Sequence, residues 1–94
     1  MLKEKLSQDI KTAMKEGKVQ MRDTLRMLAS AIKNKEIEKR EPLTEEELQK
    51  VLAKEIKNRR KAIELFKQGN RQDLVDRDTA EIAILEPYLS DAAA

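Results

Sequence analysis

The 94-residue chain contains no cysteine and no histidine. Without cysteine there is no disulfide framework, thiol nucleophile or thiolate metal site. Without histidine the chain lacks the commonest general base and the commonest imidazole ligand. Tryptophan is absent too, and one Phe and one Tyr are the only aromatic residues, which leaves almost nothing to stack on nucleic-acid bases. Two Gly and two Pro provide too little turn chemistry for an all-β fold.

The residues that remain are mostly aliphatic or charged. Hydrophobic residues make up 39% of the chain and charged residues 40%, and that hydrophobic share is too high for a disordered segment. No apolar run approaches the roughly 18 residues of a membrane span. No signal-peptide core follows Met1. We therefore expect a soluble, helical, cytoplasmic protein with no membrane partner.

The charge is unevenly distributed along the chain, although the net charge is only +2. Residues 1–40 carry 11 Lys or Arg against 6 Asp or Glu, whereas residues 41–94 carry 9 against 12. Such an asymmetry can steer a polyanion to one side of the molecule. The alternative is that the charges only solvate the faces of a small helical domain.

Two amphipathic segments precede Pro42, each with apolar residues at helical spacing. Gly17 lies just past the end of the first segment, where a positive φ is usual. The second segment runs from about Val19 to Arg40 and stops before Pro42, because the residue before a proline is disfavoured in the α region. The apolar positions are Leu2, Leu6, Ile10 and Ala13 or Met14, and then Met21, Leu25, Leu28 and Ile32.

A third helix begins with a capping box. The Thr44 hydroxyl can accept from the third helical N–H, while the Glu47 carboxylate reaches back to the N–H of the cap. Gly69 is predicted to end this helix. The predicted apolar stripe consists of Leu48, Val51, Leu52, Ile56, Ile63 and Phe66.

Asn70 and Asp73 have the same spacing as Thr44 and Glu47, so they predict the capped start of a fourth helix. Pro87 should end or kink that helix. Its buried side is predicted to be Val75, Ile82, Leu85 and Leu89, with Leu74 and Tyr88 at the edges. Four such stripes with short connections predict an all-α fold, a compact antiparallel array of about four helices. We expect this domain to cover residues 1–89 and residues 90–94 to form a frayed tail.

A line of lysines is the strongest candidate site. Lys50, Lys54, Lys57 and Lys61 are spaced four, three and four residues apart on the third helix, with Arg60 beside them. Over about 16 Å at 1.5 Å per residue, this line can track several backbone phosphates. The alternative is a solvated helix face whose long stems cover the edge of the core. Arg59 leans toward the apolar face.

Arg22, Arg26 and Lys33 each follow a core position of the second helix by one residue. They either pair with acids of a neighbouring helix, which the geometry favours, or present donors to phosphate. Arg71 and Asp73 allow the same two interpretations.

The sequence offers few parts for catalysis. Asp73, Asp76 and Asp78 lack the glycine turn and the distant Glu of a calcium loop, and acids in a first helical turn are explained by the helix dipole. The serines have no histidine to activate them, and there is no Gly-rich phosphate loop. We expect no catalytic residue, no metal and no cofactor.

Several motifs follow one another along nearly the whole chain. They are Arg22-Asp23-Thr24-Leu25-Arg26-Met27-Leu28, Lys54-Glu55-Ile56-Lys57, Arg59-Arg60-Lys61, Gly69-Asn70-Arg71-Gln72-Asp73-Leu74 and Tyr88-Leu89. In this order they resemble the N-terminal helical half of a YqeY-type protein of the GatB/YqeY domain family, with Arg71, Asp73, Leu74 and Tyr88 as its structural motif. That family includes free-standing YqeY proteins and the tail of the B subunit of the tRNA-dependent amidotransferase.

The resemblance implies a function without catalysis by this chain. The amidotransferase converts Glu-tRNA(Gln) or Asp-tRNA(Asn) to the amide with glutamine as donor, and its helical tail grips the tRNA. Free-standing members carry an amidotransferase-like label (carbon–nitrogen ligase, glutamine as amido-N donor). The resemblance therefore implies a tRNA-binding module. As its partners we expect tRNA and an amidotransferase or an aminoacyl-tRNA synthetase. Its RNA-binding residues would be Arg22, Arg26, Lys33, Lys50, Lys54, Lys57, Arg60 and Lys61.

One departure from the family pattern bears on this function. Family members continue from Tyr-Leu-Pro into a second, smaller helical domain, whereas here Ser90 and a short alanine tail follow Tyr88-Leu89. We therefore expect the second domain to be absent. The alternative function is a helical protein-interaction module that docks on a larger partner and binds no RNA of its own.

Overall fold

The structure, a computed structural model, describes residues 2–90. Within that range it contains four α-helices, α1 (Leu2–Lys15), α2 (Val19–Lys39), α3 (Glu45–Gln68) and α4 (Gln72–Leu85), followed by a 3-10 turn (Glu86–Tyr88). The all-α prediction is confirmed. Apart from Ser90, the expected tail lies outside the described residues. No helix between residues 2 and 90 has the length and apolarity that a membrane span requires.

Successive helices run antiparallel to one another. The start of α1 meets the end of α2 through Lys3 and Glu36. The middle of α3 meets α4 through Arg59 and Glu81. Helix α2 packs against each of the other three helices, α1, α3 and α4.

The core is aliphatic and draws on all four helices. Burying one Leu or Ile side chain contributes about 1.5–3 kcal/mol, so these side chains supply most of the packing energy. The buried cluster consists of Leu2, Leu6, Leu25, Leu28, Ile32, Leu48, Leu52, Ile56, Ile82, Leu85 and Tyr88.

The ends of α1 and α2 follow the predicted local rules. Gly17 has a φ of 71°, as expected for a residue just past a helix end. Helix α2 ends at Lys39, one residue before the predicted limit, because Arg40 turns into the left-handed region with a φ of 64°. The Arg40 N–H still donates to the Glu36 carbonyl at 2.8 Å.

The capping box of α3 is confirmed. The Thr44 hydroxyl accepts from the Glu47 N–H at 3.2 Å, and the Glu47 carboxylate accepts from the Thr44 N–H at 2.9 Å. This exchange satisfies two N–H groups that the first turn of a helix otherwise leaves unpaired.

The predicted cap of α4 is wrong. Arg71, not Asn70, is the N-cap residue, and it makes no side-chain cap hydrogen bond. Asn70 instead has a φ of 57°, while Gly69 has an ordinary negative φ of −87°. Asn tolerates the left-handed region, so Asn70 serves the end of α3. The Arg71 N–H then donates to the Phe66 carbonyl at 2.9 Å.

Pro87 ends α4 as predicted, but the residues after it are placed differently. Tyr88 was expected at an edge, yet it is only 7% exposed, whereas Leu89 is half-buried. In a 3-10 turn, residues i and i+3 eclipse one another, so Tyr88 follows the buried Leu85. Phe66 is also only half-buried.

Candidate nucleic-acid interface

The lysine line lies on the solvent side of α3, opposite the buried stripe that contains Leu52 and Ile56. We call it the α3 lysine face; it consists of Lys50, Lys54, Lys57 and Lys61, all four exposed. The helical period places these positions together because steps of three and four residues return to one side of a helix. The predicted continuous line is thus a surface feature of the fold.

Most of this face is not neutralised by nearby acids. The Lys50 Nζ lies 3.9 Å from a Glu46 carboxylate oxygen, and both side chains are mostly exposed. Within residues 2–90, no Asp or Glu carboxylate lies within 4.0 Å of the Nζ atoms of Lys54, Lys57 or Lys61. Arg60, beside the face, reaches Glu86 only at 4.0 Å. The charges of the three lysines therefore remain available to an external anion.

Arg59 departs from its basic neighbours and points inward, as its predicted lean suggested. Its Nε donates to Glu81 at 2.9 Å and its Nη1 donates to the Glu55 carbonyl at 3.0 Å. On α4, the Arg77 Nε donates to the buried Asp78 at 3.0 Å and lies 3.9 Å from Glu81. These residues form a partly buried ionic network, with Arg59 and Asp78 buried and Arg77 exposed, that joins α3 to α4.

Sequence analysis missed this network. Asp78 is spaced three residues after Val75 and four before Ile82, so it occupies a position of the buried stripe. A carboxylate at a stripe position needs a buried partner. An acid at a buried position of the fourth helix was therefore the feature of the sequence from which this network could have been predicted.

The second basic set lies on the side of α2 that faces α1. Arg22 donates to the adjacent Asp23 at 2.8 Å, and this bond lowers the pKa of Asp23. The Arg26 Nη2 lies 3.4 Å from the Met14 sulfur of α1. Lys33 lines the space between α1 and α2.

The predicted pairing of Arg22, Arg26 and Lys33 with acids of a neighbouring helix is therefore wrong. The α1 residue that contacts Arg26 is Met14, which is not an acid. The acid that pairs with Arg22 is Asp23, which lies on the same helix. The structure also does not unite this set with the α3 lysine face, because Arg26 and Lys33 lie beside α1, whereas the four lysines lie on the exposed side of α3.

Arg71 and Asp73 form a local pair at the start of α4. The guanidinium donates twice to the carboxylate, at 3.1 and 3.0 Å. This bond lowers the pKa of Asp73 and raises that of Arg71. Asp76 accepts from Gln72 at 2.8 Å. Asp73 and Asp76 thus have separate partners, and residues 2–90 contain no cluster of three or more potential ligands for a metal.

The sequence matches a known protein family. A family model described as "Yqey-like protein" matches residues 3–93. The chain belongs to the YqeY-like family. The resemblance inferred from the sequence motifs is thereby confirmed.

This YqeY-like chain is similar to several curated fungal proteins, each named "Altered inheritance of mitochondria protein 41, mitochondrial". The relative from Lachancea thermotolerans is 41% identical over 85 residues, which cover 89% of this chain and 46% of the relative. The relative from Kluyveromyces lactis is 42% identical over 84 residues, covering 88% and 45%. The relative from Eremothecium gossypii is 35% identical over 86 residues, covering 90% and 47%.

Two consequences follow from these relatives. The chain spans about half the length of the curated proteins that it matches. The expected cytoplasmic location is wrong by this comparison, because the names of the relatives place them in mitochondria.

Proposed function

We propose that this YqeY-like chain is a non-catalytic, tRNA-associated helical module that holds the phosphate backbone of RNA with its α3 lysine face. The observation that carries the proposal is the state of Lys54, Lys57 and Lys61. All three are exposed on one side of α3, and within residues 2–90 none has a carboxylate oxygen within 4.0 Å. Each neutralised phosphate releases counterions, which is the main source of non-specific affinity for nucleic acid.

The mode of binding follows from the residue types on that face. A lysine ammonium acts as a point charge with rotatable donors, so the face suits phosphates along a backbone over about 16 Å of helix. Stacking on bases requires exposed aromatic rings. Tyr88 is buried, however, and the half-buried Phe66 ring has the Arg77 guanidinium 5.8 Å above it. Recognition would therefore be of backbone and shape, with little sequence readout.

Arg60 extends the α3 lysine face toward α4. Arg22, Arg26 and Lys33 would form a separate second contact on the α1 side of α2. The two sets lie on different helices, α2 and α3, so using both contacts at once favours a large, folded RNA over a short single strand. Lys33 and Arg26 have no carboxylate partner within 4.0 Å among residues 2–90, whereas Arg22 must give up its bond with Asp23.

The resemblance to the amidotransferase B-subunit tail supplies the biological context of this proposal. The chain would present tRNA to a partner, an amidotransferase or an aminoacyl-tRNA synthetase, and the amide transfer that uses glutamine would occur on that partner. The names of the relatives make mitochondrial tRNA a suitable probe beside total tRNA.

Charge reversal on α3 tests the proposal. We would titrate labelled tRNA with the parent chain and with Lys54→Glu/Lys57→Glu/Lys61→Glu, using fluorescence anisotropy at low salt. The matched control is Lys11→Glu/Lys15→Glu/Lys18→Glu, at the end of α1 and in the turn before α2, which changes the net charge by the same amount. We expect a loss of affinity of more than about tenfold for the α3 variant and a clearly smaller loss for the control. Equal losses would contradict a specific face.

The alternative function is a protein-interaction module that binds no RNA. Five large apolar side chains on the described surface favour it, each more than half exposed: Met14, Val19, Met27, Ile37 and Leu65. The same titration separates the two functions. No binding of tRNA by the parent chain at low salt, together with a retained partner on purification, would favour the interaction module.

A further inference from the structure

An apolar cleft runs along the outer side of α1 and α2. Its floor is formed by Leu6 and Ile10 of α1 and by Ala29 and Ile32 of α2, and its volume is about 450 Å³. Ser7 lies on its rim. We call this the α1–α2 cleft. A groove between two side-by-side helices is the shape that a third helix fills in ridge-and-groove packing.

Two contacts between the helices close the ends of the α1–α2 cleft. At one end the Lys3 Nζ donates to the two carboxylate oxygens of Glu36 at 2.9 and 3.1 Å. Glu36 also accepts from the Leu43 N–H at 2.9 Å, which ties this end to the chain after α2. At the other end Arg26 contacts Met14. From Lys3 to Ile10 the residues of α1 that line the cleft extend over about 10 Å.

Apolar surface continues past both ends. Met14 is 51% exposed at one end, and Ile37, next to Glu36 at the other, is 64% exposed. With the floor they make up an apolar strip, which the Lys3–Glu36 ion pair interrupts at the Ile37 end. Apolar strips with polar rims mark sites of protein interaction.

Basic residues lie beside this strip. Lys33 lines the cleft, Arg26 contacts Met14 at one end, and Lys11 lies one helical turn after Ser7 on α1. Within residues 2–90 none of them has a carboxylate oxygen within 4.0 Å. The one carboxylate that bridges the two helices here, Glu36, is engaged by Lys3. A partner helix therefore gains from acidic residues beside its apolar side, and a basic one is repelled.

We propose that the α1–α2 cleft docks an acidic amphipathic helix of a partner protein. The partner's apolar residues at i, i+3 or i+4, and i+7 insert over Ile10 and Ala29. Its flanking carboxylates pair with Lys11, Arg26 and Lys33. The apolar floor favours a peptide over RNA, because it offers no donor to a phosphate. This surface does not include the α3 lysine face, but it shares Arg26 and Lys33 with the second RNA contact of the proposed function, so RNA and the helix would compete for those two residues.

The test uses a designed peptide. A labelled amphipathic helix of about 15 residues, with Leu at i, i+4, i+7 and i+11 and Glu on both flanks, is titrated with the chain and followed by anisotropy. A second peptide carries Lys in place of every Glu. We expect the acidic peptide to bind in the micromolar range and the basic peptide not to bind. Amide NMR signals of Ser7, Ile10, Ala29 and Lys33 should shift on binding.

Matched variants locate the site. Lys11→Glu/Lys33→Glu should weaken the acidic peptide about tenfold or more, and Ser7→Phe, at an exposed rim position, should block the cleft. Lys54→Glu/Lys61→Glu on α3 makes the same change of net charge and should have a much smaller effect.

Several outcomes would overturn the proposal. They are no binding up to about 1 mM peptide, equal binding of both peptides, or NMR shifts confined to α3. Self-association of the chain through these amides, or their shift with a short RNA instead of the peptide, would assign the cleft to another occupant.

Discussion

Arg59 and Glu81 join α3 to α4 through a buried ion pair, with the guanidinium Nε 2.9 Å from the carboxylate and side-chain exposures of 9% and 13%. Arg59 also donates to the Glu55 carbonyl, so its guanidinium is satisfied from both helices. This pair explains why Arg59 is absent from the surface of basic residues beside it.

Removing one partner of this pair should destabilise the fold strongly. We expect Glu81→Ala to lower the free energy of unfolding by about 3 kcal/mol or more, because it leaves Arg59 buried without its main partner. Replacing both residues, Arg59→Met/Glu81→Leu, should recover much of the loss. Urea denaturation measures both. The exposed pair of Lys67 and Glu64, 3.7 Å apart, is the control: Glu64→Gln should change stability by less than about 0.5 kcal/mol.

The α3 capping box should make stability depend on pH in acid. The Lys39 ammonium and the Thr44 N–H lower the pKa of Glu47 from 4.5 to about 2. A lowered pKa means that the contribution is fully present above pH 4.5 and is lost as pH falls toward 2. Glu47→Gln should remove this dependence, whereas Glu46→Gln in the same first turn should largely retain it. Urea denaturation at a series of pH values measures this dependence. If the free energy of unfolding changed with pH in the same way for the parent and for Glu47→Gln, the account would be contradicted.

Replacing each of the two glycines by alanine should affect stability differently. Gly17 has a φ of 71°, so Gly17→Ala places a side chain in the left-handed region, although no atom lies within 4 Å of the new Cβ. We expect a loss of about 1–2 kcal/mol. At Gly69 the φ is −87° and the nearest atom to a new Cβ is 3.6 Å away. Gly69→Ala should be neutral or stabilise by up to about 1 kcal/mol; thermal unfolding distinguishes them.

Tyr88 should ionise at an unusually high pH. Burial, together with the hydrogen bond that its hydroxyl donates to Asp9, raises its pKa above 10.0. A raised pKa means that the stabilisation is present below pH 10 and is lost as pH rises. Tyr88 is the one tyrosine of the chain, so tyrosinate absorbance reports it alone. Asp9→Asn should lower the pH midpoint of this absorbance change partly, because it removes the charged hydrogen-bond acceptor. A midpoint near pH 10 in the parent chain would contradict the packing of Tyr88.

The elements that the sequence predicted correctly depend on neighbours along the chain. The four helices follow from apolar spacing, the start of α3 from Thr44 and Glu47, and the end of α4 from Pro87. Tyr88 was misplaced because its side depends on a 3-10 turn with three residues per turn, which the helical period does not anticipate. Asn70 was misread because an Asn suits both a helix start and a left-handed helix end.

The candidate site was predictable only in part. The spacing of Lys50, Lys54, Lys57 and Lys61 is a local property of α3, and it placed them on one face. Which acids lie near Arg22 or Arg59 depends on contacts between helices, and these are not encoded in the period of one helix. For the same reason the α1–α2 cleft, which needs both helices in register, was not foreseen.

The salt dependence of tRNA binding tests the central claim most directly. Each phosphate that is neutralised contributes about 0.7–0.9 to the slope of log affinity against log salt. Replacing Lys54, Lys57 and Lys61 by Ala should therefore reduce that slope by about 2–3 relative to the parent chain. A flat slope for the parent, or an identical slope for the alanine variant, would contradict a phosphate-binding role for the α3 lysine face.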